Sequence, residues 1–145
     1  MSMFQIFGIS GSAVSAQSQR LNVVASNLAN VDTVAGLDGK AYKARQVVFQ
    51  TELMGTSGQV GAPPENAAGH SGVRVSTIKE DEAPGRRVFD PKHPAADSDG
   101  YVTFSNVNAV DEMVNMIAAS RSYQNNIEVM NTTKSLLQKT LQLGQ

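Results

Sequence analysis

The feature of this sequence that most constrains its fold is a long run of side chains near its end, recurring in alternating steps of three and four. Such steps follow one face of an α-helix. The run comprises Met113, Met116, Ser120, Tyr123, Ile127, Met130, Lys134, Leu137 and Leu141. It predicts a helix over 107–143, which at ~1.5 Å per residue is roughly 54 Å long and exceeds what a single small domain needs.

The start of this helix carries two further signals. Asn108 is a suitable N-cap residue, with Asp111 three positions later. A second apolar row is expected to widen the stripe at this end, and it consists of Val107, Val110, Val114 and Ile117.

The beginning of the chain has a weaker seven-residue rhythm, which predicts a helix over 4–30. One row holds Phe7, Val14, Leu21 and Leu28, and the row beside it holds Ser10, Gln17, Val24 and Val31. Gly8 and Gly11 lower the stability of this helix by roughly 1 kcal/mol each relative to alanine.

The middle of the chain predicts a small β-rich insert over 32–106, since it holds all five prolines and several segments that alternate as strands do. Strands are expected at Tyr42–Phe49, Val73–Ile78, Arg87–Phe89 and Tyr101–Phe104, with a turn at 95–100 and a flexible loop at about 55–72. The expected fold is mainly α, with 1–31 and 107–145 forming an antiparallel coiled-coil pair that flanks the insert.

The outer faces of the two predicted helices are unusual because they carry Ser, Asn, Gln and Ala in place of Lys and Glu. Arg20 is the only charged residue among the first 31. Small uncharged polar groups are buried at much lower cost than charges, provided that they are hydrogen-bonded. This composition favours helices packed on all sides in a polymer over an ordinary two-helix coiled coil.

No catalytic, metal or cofactor site is predicted. The chain has no cysteine, and its two histidines, His70 and His93, have no further ligand at a useful spacing. Asp97–Gly100 fits a hairpin turn better than a calcium loop. The net charge of -1 gives no reason to expect nucleic-acid binding, and neither a membrane-spanning segment nor a signal peptide is visible.

The segment Leu21–Asn30, which reads LNVVASNLAN, resembles the N-terminal signature of the flagellar rod, hook and hook-associated axial proteins. Similarity to proximal-rod members of that family continues through Tyr42–Phe49, Val88–Pro94, Asp99–Val102, Asn106–Met113, Ser122–Asn126 and Leu141–Gly144. The resemblance implies a structural subunit of the periplasmic rod, which transmits torque from motor to hook. It also implies export through the flagellar type III apparatus without a cleaved signal peptide, and contacts with other rod subunits and the inner-membrane ring and rod-base proteins.

Self-association through the two helices is therefore expected. Two roles are open for Arg20: an exposed side chain, or a contact across a subunit boundary with a carbonyl group or with the carboxylate of Asp111, Glu112 or Glu128. The expected interface residues are Phe7, Val14, Arg20, Leu21, Asn22, Val24, Asn27, Leu28, Asn30, Met113, Met116, Tyr123, Asn126, Ile127, Met130, Leu137 and Leu141. A sister rod protein is the nearest alternative. A soluble coiled-coil adaptor is an alternative of another class, and it predicts charged outer helix faces, which this sequence lacks.

Overall fold

The computed structural model describes residues 3–36, 39–54 and 70–143. Its elements in chain order are α1 (Met3–Ala29), β1 (Arg45–Met54), β2 (His70–Glu80), β3 (Arg87–Phe89), β4 (Tyr101–Thr103) and α2 (Ala109–Leu143). The two long helices and the small β region between them confirm the prediction of a mainly α fold with a small β insert. The predicted loop was too long at its end, because β2 begins at His70. Residues 55–69 of that loop lie outside the described residues.

The N-terminus of α2 is capped as the sequence predicted. The Asn108 side-chain oxygen accepts a hydrogen bond from the Val110 backbone N–H at 3.0 Å, and the Asn108 carbonyl accepts one from Glu112 at 3.0 Å. Asp111 and Glu112 lie in the first turn, where negative charge is favourable against the helix dipole. These contacts fix where α2 begins.

The strands form two separate antiparallel pairs. β1 and β2 make a long ribbon that is paired from Arg45 with Glu80 to Met54 with His70, with a register irregularity between Val48 and Phe49. β3 and β4 make a short hairpin. Its connection ends in a turn where Gly100, at φ 78°, donates its N–H to the Asp97 carbonyl at 2.9 Å, which confirms the predicted turn.

The β1–β2 ribbon lies close against α1. The Ser12 hydroxyl donates to the Ile9 carbonyl at 2.7 Å and accepts from the Val73 backbone N–H at 3.0 Å. A Cβ at Gly72 would lie 2.7 Å from both Ser12 Oγ and Met54 Sδ. Glycine at this position therefore permits the close approach of ribbon and helix.

The core of the described residues is thin and built from small side chains. Its apolar members are Ala16, Val23, Val24, Ala44, Val102 and Ala119, and its polar members are Ser10, Asn27, Ser105 and Thr133. The largest fully buried side chains are Val102 and Asn27. Many larger apolar side chains among the described residues nevertheless stay exposed, including Phe4, Leu53, Phe89 and Val110.

The face of α2 that packs against α1 overlaps the predicted one but is centred on other residues. Ala119 and Thr133, at 0% and 6% exposure, are its most buried residues, and neither belonged to the predicted stripe. Met116 and Tyr123 are half-buried beside them, whereas Met113 from the predicted stripe is exposed. Small side chains let the helices approach closely, so the seam follows the smallest residues and not the most apolar ones.

The second apolar row at the start of α2 was also misassigned. Val110, Val114 and Ile117 are 67%, 61% and 55% exposed. At 100° per residue they lie about half a turn away from Ala119. They therefore face away from α1 and do not widen the stripe that packs against it.

On α1, the predicted row that contains Ser10 and Val24 is more buried than the row of larger residues beside it. Ser10 and Val24 are buried, whereas the row of Phe7, Val14, Leu21 and Leu28 is half-buried at the edge of the seam.

No helix within the described residues is long and apolar enough to cross a membrane.

Candidate functional site and subunit interface

Four chain segments meet at one place: the end of α1, the entry to β1, the exit from β2 and the entry to α2. Two asparagines, Asn27 and Asn106, hydrogen-bond across this meeting point. We call these two side chains and the groups that they bind the asparagine junction. It connects the helix pair to the insert.

Asn27 is fully buried and uses all of its hydrogen-bonding capacity. Its amide nitrogen donates to the Arg45 carbonyl at 2.8 Å and to a Glu112 carboxylate oxygen at 3.1 Å. Its amide oxygen accepts from the Arg45 backbone N–H at 2.9 Å and from the Tyr42 hydroxyl at 3.1 Å. Asn27 thus pairs with the first residue of β1 as a neighbouring strand would, and it also binds α2.

Tyr42 extends this network back onto α1, because its hydroxyl oxygen lies 3.2 Å from Ser26 Oγ. Arg45 lies over the Tyr42 ring, with the guanidinium carbon 5.6 Å from the ring centroid, and pairs with Glu80 of β2. The start of β1 is therefore held by side chains from α1 on one side and from β2 on the other.

Asn106 likewise hydrogen-bonds backbone groups of the insert, from the segment that precedes α2. Its amide oxygen accepts from the Ala44 backbone N–H at 2.7 Å, and its amide nitrogen donates to the Ala83 carbonyl at 3.0 Å. The adjacent Ser105 hydroxyl donates to the Val31 carbonyl at 2.7 Å. The segment before α2 is thereby tied both to the strands and to the chain that leaves α1.

Sequence reasoning identified Asn27 as an interface candidate, but it assigned no role to Asn106, Ser105 or Tyr42. A signal for Asn106 was present, since an asparagine between a strand and a helix typically bonds backbone groups that are left unpaired at their ends. Asn30 closes α1 by donating to the Ser26 carbonyl at 2.8 Å.

Arg20 has a partner inside the chain. Its guanidinium donates to the side-chain oxygen of Asn115 at 3.2 Å. It lines a cleft of about 370 Å³ between α1, α2 and β1, together with Glu112 and Phe49. The ion pairs among the described residues join Arg45 to Glu80, Arg86 to Asp32 and Arg87 to Asp97, so none of them includes Arg20.

The outward side of α2 carries the largest concentration of exposed apolar groups on the helix pair. We call Val110, Met113, Val114 and Ile117 the outer patch; each is more than half exposed. A contiguous exposed apolar patch of this kind is often a contact surface.

The outward side of α1 differs from the outer patch, because its exposed side chains are small and uncharged. We call Ser15, Ser18, Asn22, Ala25 and Ala29 the small stripe; they follow one another in steps of three and four. At 100° per residue the stripe lies about half a turn from the buried Asn27. Neither the α2 seam nor the ribbon covers it.

The residues expected at the interface fall into three groups. Val24 and Asn27 are buried within the chain, and Asn22, Met113 and Leu141 are exposed. The half-buried group comprises Phe7, Val14, Arg20, Leu21, Leu28, Asn30, Met116, Tyr123, Asn126, Ile127, Met130 and Leu137. The expected interface residues thus include side chains buried within the chain as well as side chains available to other molecules.

Known proteins match this chain along its whole length. The family described as "Flagella basal body rod protein" matches residues 8–36, and the family described as "Flagellar basal body rod FlgEFG protein C-terminal" matches residues 98–143. The protein called "Flagellar basal-body rod protein FlgC" in Yersinia enterocolitica is 58% identical over 145 residues, covering 100% of both chains. Those of the same name in Salmonella typhimurium strain LT2 and Escherichia coli O157:H7 are each 54% identical with the same coverage.

The chain belongs to the FlgC family of flagellar basal-body rod proteins. Members are structural subunits of the rod and not enzymes, so the function of this chain is carried by its surfaces and not by a reaction centre. The described residues contain no group of three or more His, Cys, Asp or Glu side chains that could hold a metal ion.

Proposed function

We propose that this chain assembles helically within the proximal part of the flagellar rod, through the outward faces of α1 and α2, and that the assembly transmits torque from motor to hook. The observation that carries the proposal is that polar and small side chains are buried in the helix pair while larger apolar side chains are exposed. Asn27, Ala119 and Thr133 fill the interior of the helix pair, while Val110 and Val114 are more than 60% exposed. Apolar surface left in water in this way is free to be buried against neighbouring subunits.

Antiparallel coiled-coil pairing of the two helices is part of this proposal. It is supported by the two contacts between them, since Arg20 bonds Asn115 whereas Asn27, further along α1, bonds Glu112, which lies earlier in α2. The buried positions on α2 also keep a coiled-coil spacing, because Ala119 and Thr133 lie two heptads apart.

The asparagine junction gives the proposed subunit a way to pass a load from the helices to the insert. Each of the two asparagines binds backbone groups of the insert, which do not depend on flexible side chains. A twist applied to the helix pair therefore reaches β1 through short hydrogen bonds as well as through the connecting chain.

The proposed partners are other rod subunits and the inner-membrane ring and rod-base proteins. The proposed route to the periplasmic rod is the flagellar export apparatus, without a cleaved signal peptide. Support comes from the family to which the chain belongs and from the resemblance of Leu21–Asn30 to the axial signature.

The test is a charge placed on the outer patch. Val114→Asp should abolish swimming and remove the chain from isolated basal bodies, because an unpaired carboxylate in a buried apolar contact costs several kcal/mol. Unfolding of the purified variant by urea should remain within about 0.5 kcal/mol of the parent, since Val114 is a surface residue within the chain.

Ser98→Asp is the control, because Ser98 is exposed in the turn before β4, outside both helices. It should swim like the parent. Normal swimming and normal basal-body content in the Val114→Asp strain would contradict the proposal that this face is buried in the rod.

A further inference from the structure

Two surfaces of the helix pair are left uncovered by the residues that the structure describes, and they differ in shape. The outer patch on α2 projects four large apolar side chains over two helical turns, from Val110 to Ile117. The small stripe on α1 runs from Ser15 to Ala29 and contains nothing larger than asparagine. The two surfaces lie on opposite outer sides of the pair, so neither can cover the other within one copy.

We infer that the outer patch of one copy docks on the small stripe of a second copy. The inference deepens the proposed function, on which it rests, by naming the two surfaces that meet. Large side chains on one helix fit into the depressions left by small ones on another, which lets the helix axes approach to about 8 Å. Val114 and Ile117 would then lie among Ser18, Asn22 and Ala25.

The charges of the two surfaces match as well. Neither the outer patch nor the small stripe contains a charged residue, and the only charge in α1, Arg20, is turned toward Asn115 in the seam. The two surfaces can therefore be buried against each other without leaving an unpaired ion. A partner helix with the usual coat of Lys and Glu would place charges against Val110 or Val114.

A second copy is the occupant that this arrangement favours, because each copy carries both halves of the contact. A contact between two different surfaces is head-to-tail, so every added copy presents the same free surface again, and the result is an open helical assembly. Two identical patches facing each other would instead give a closed dimer.

The size of the contact explains how such a chain can remain unassembled before it reaches the rod. Four aliphatic side chains offer on the order of 400 Å² per partner, below the roughly 800 Å² per partner of a stable complex. One such contact does not hold a dimer. Several contacts made at once, at the end of an existing rod, do so because later contacts form within the same assembly.

Cysteine cross-linking tests this pairing, since the chain has no cysteine of its own. Val114→Cys is combined in turn with Ser15→Cys, Asn22→Cys and Ala29→Cys, which lie roughly 10 Å apart along α1. Basal bodies from swimming cells are treated with a short bismaleimide. Within one copy the pair of sites lies roughly two helix diameters apart, about 20 Å, and is out of reach.

At least one of the three double variants should give a ladder of covalent multimers of this chain, while the corresponding single variants stay monomeric. Val129→Cys combined with the same three positions is the control, because Val129 is exposed on α2 roughly 22 Å along the helix axis from Val114. It should give no ladder. If Val114→Cys impairs swimming, Ile117→Cys takes its place.

Three results would overturn the inference: no ladder in any pair, an equal ladder with the Val129 control, or cross-linking of Val114→Cys to a protein of another mass. In each of these cases, the proposed function would still hold if the chain is present in the basal bodies. Absence of the parent chain from basal bodies would instead refute the proposed function.

Discussion

The asparagine junction and the outer patch reverse the distribution of side chains that is usual in a soluble protein. At the junction, Asn27 is completely buried and makes four hydrogen bonds. On the outer patch, the side chains of Val110 and Val114 are mostly exposed to solvent although they are apolar. Polar groups thus fix the geometry of the junction, and apolar groups of the outer patch remain exposed.

The difference has a physical reason. Hydrogen bonds are directional, so a buried asparagine with every bond satisfied fixes one arrangement of the segments around it. The hydrophobic effect is not directional and scales with buried area, which suits contacts that must form only when many subunits meet. A chain whose insert must hold a defined orientation to its helices, and whose helices must pack on several sides, benefits from this division.

The largest effect on the free chain is expected from Asn27→Ala. This change leaves the Arg45 backbone N–H and carbonyl, the Tyr42 hydroxyl and the Glu112 carboxylate without the partner that they share. Each buried group left unpaired costs about 1–3 kcal/mol, so the free energy of unfolding should fall by about 3–5 kcal/mol in urea denaturation.

Asn22→Ala is the control for that prediction, because Asn22 lies in the same helix but is exposed. Its free energy of unfolding should change by no more than about 0.5 kcal/mol. Equal stabilities of the two variants would show that the junction does not hold the helices to the insert. The contrast between the asparagine junction and the outer patch would then be wrong.

The elements of the fold were predictable because they depend on local patterns. The steps of three and four near the end of the chain, the Asn108 cap and the alternation in Val73–Ile78 each identify their element without any knowledge of the rest. The axial signature at Leu21–Asn30 identified the family for the same reason.

The surfaces of the helices were less predictable, because apolar character alone does not say which partner covers a residue. Val110 and Met116 look equivalent in the sequence, yet only Met116 lies beside the seam. The choice between them is made by Ala119 and Thr133, whose small size lets α1 approach. Hydrogen bonds between distant segments, such as that from Ala44 to Asn106, leave no periodic pattern at all.

The seam between the helices gives the next largest effect. Ala119→Leu adds a large side chain at a position with 0% exposure, where overpacking costs about 1–3 kcal/mol. Ala118→Leu, on the exposed side of the same helix, should change the free energy of unfolding by less than about 0.5 kcal/mol. Both would be measured by urea denaturation, and a reversed order would mean that the helices meet through a different face.

Arg20→Ala should have a smaller effect, of about 1 kcal/mol on the free chain, through the lost hydrogen bond to Asn115. Arg20→Lys should recover only part of it, since an ammonium group cannot reproduce the planar geometry of a guanidinium. Swimming assays of the same strains separate this internal role from a contact across a subunit boundary. Loss of swimming far beyond the loss of stability would support the boundary contact.

Glycine to alanine changes at two sites should give the smallest effects, with opposite signs. A Cβ at Gly11, inside α1, meets nothing within 4 Å, so Gly11→Ala should raise the free energy of unfolding by about 0.5–1 kcal/mol through helix propensity alone. A Cβ at Gly72 would lie 2.7 Å from Ser12 Oγ. Gly72→Ala must therefore displace the hydroxyl that accepts from the Val73 N–H, and it should lower the stability by about 1 kcal/mol. Thermal unfolding of both variants distinguishes the two outcomes. Stabilisation by Gly72→Ala would mean that the ribbon does not lie against α1 as closely as described, and that the insert is held to the helices at the asparagine junction alone.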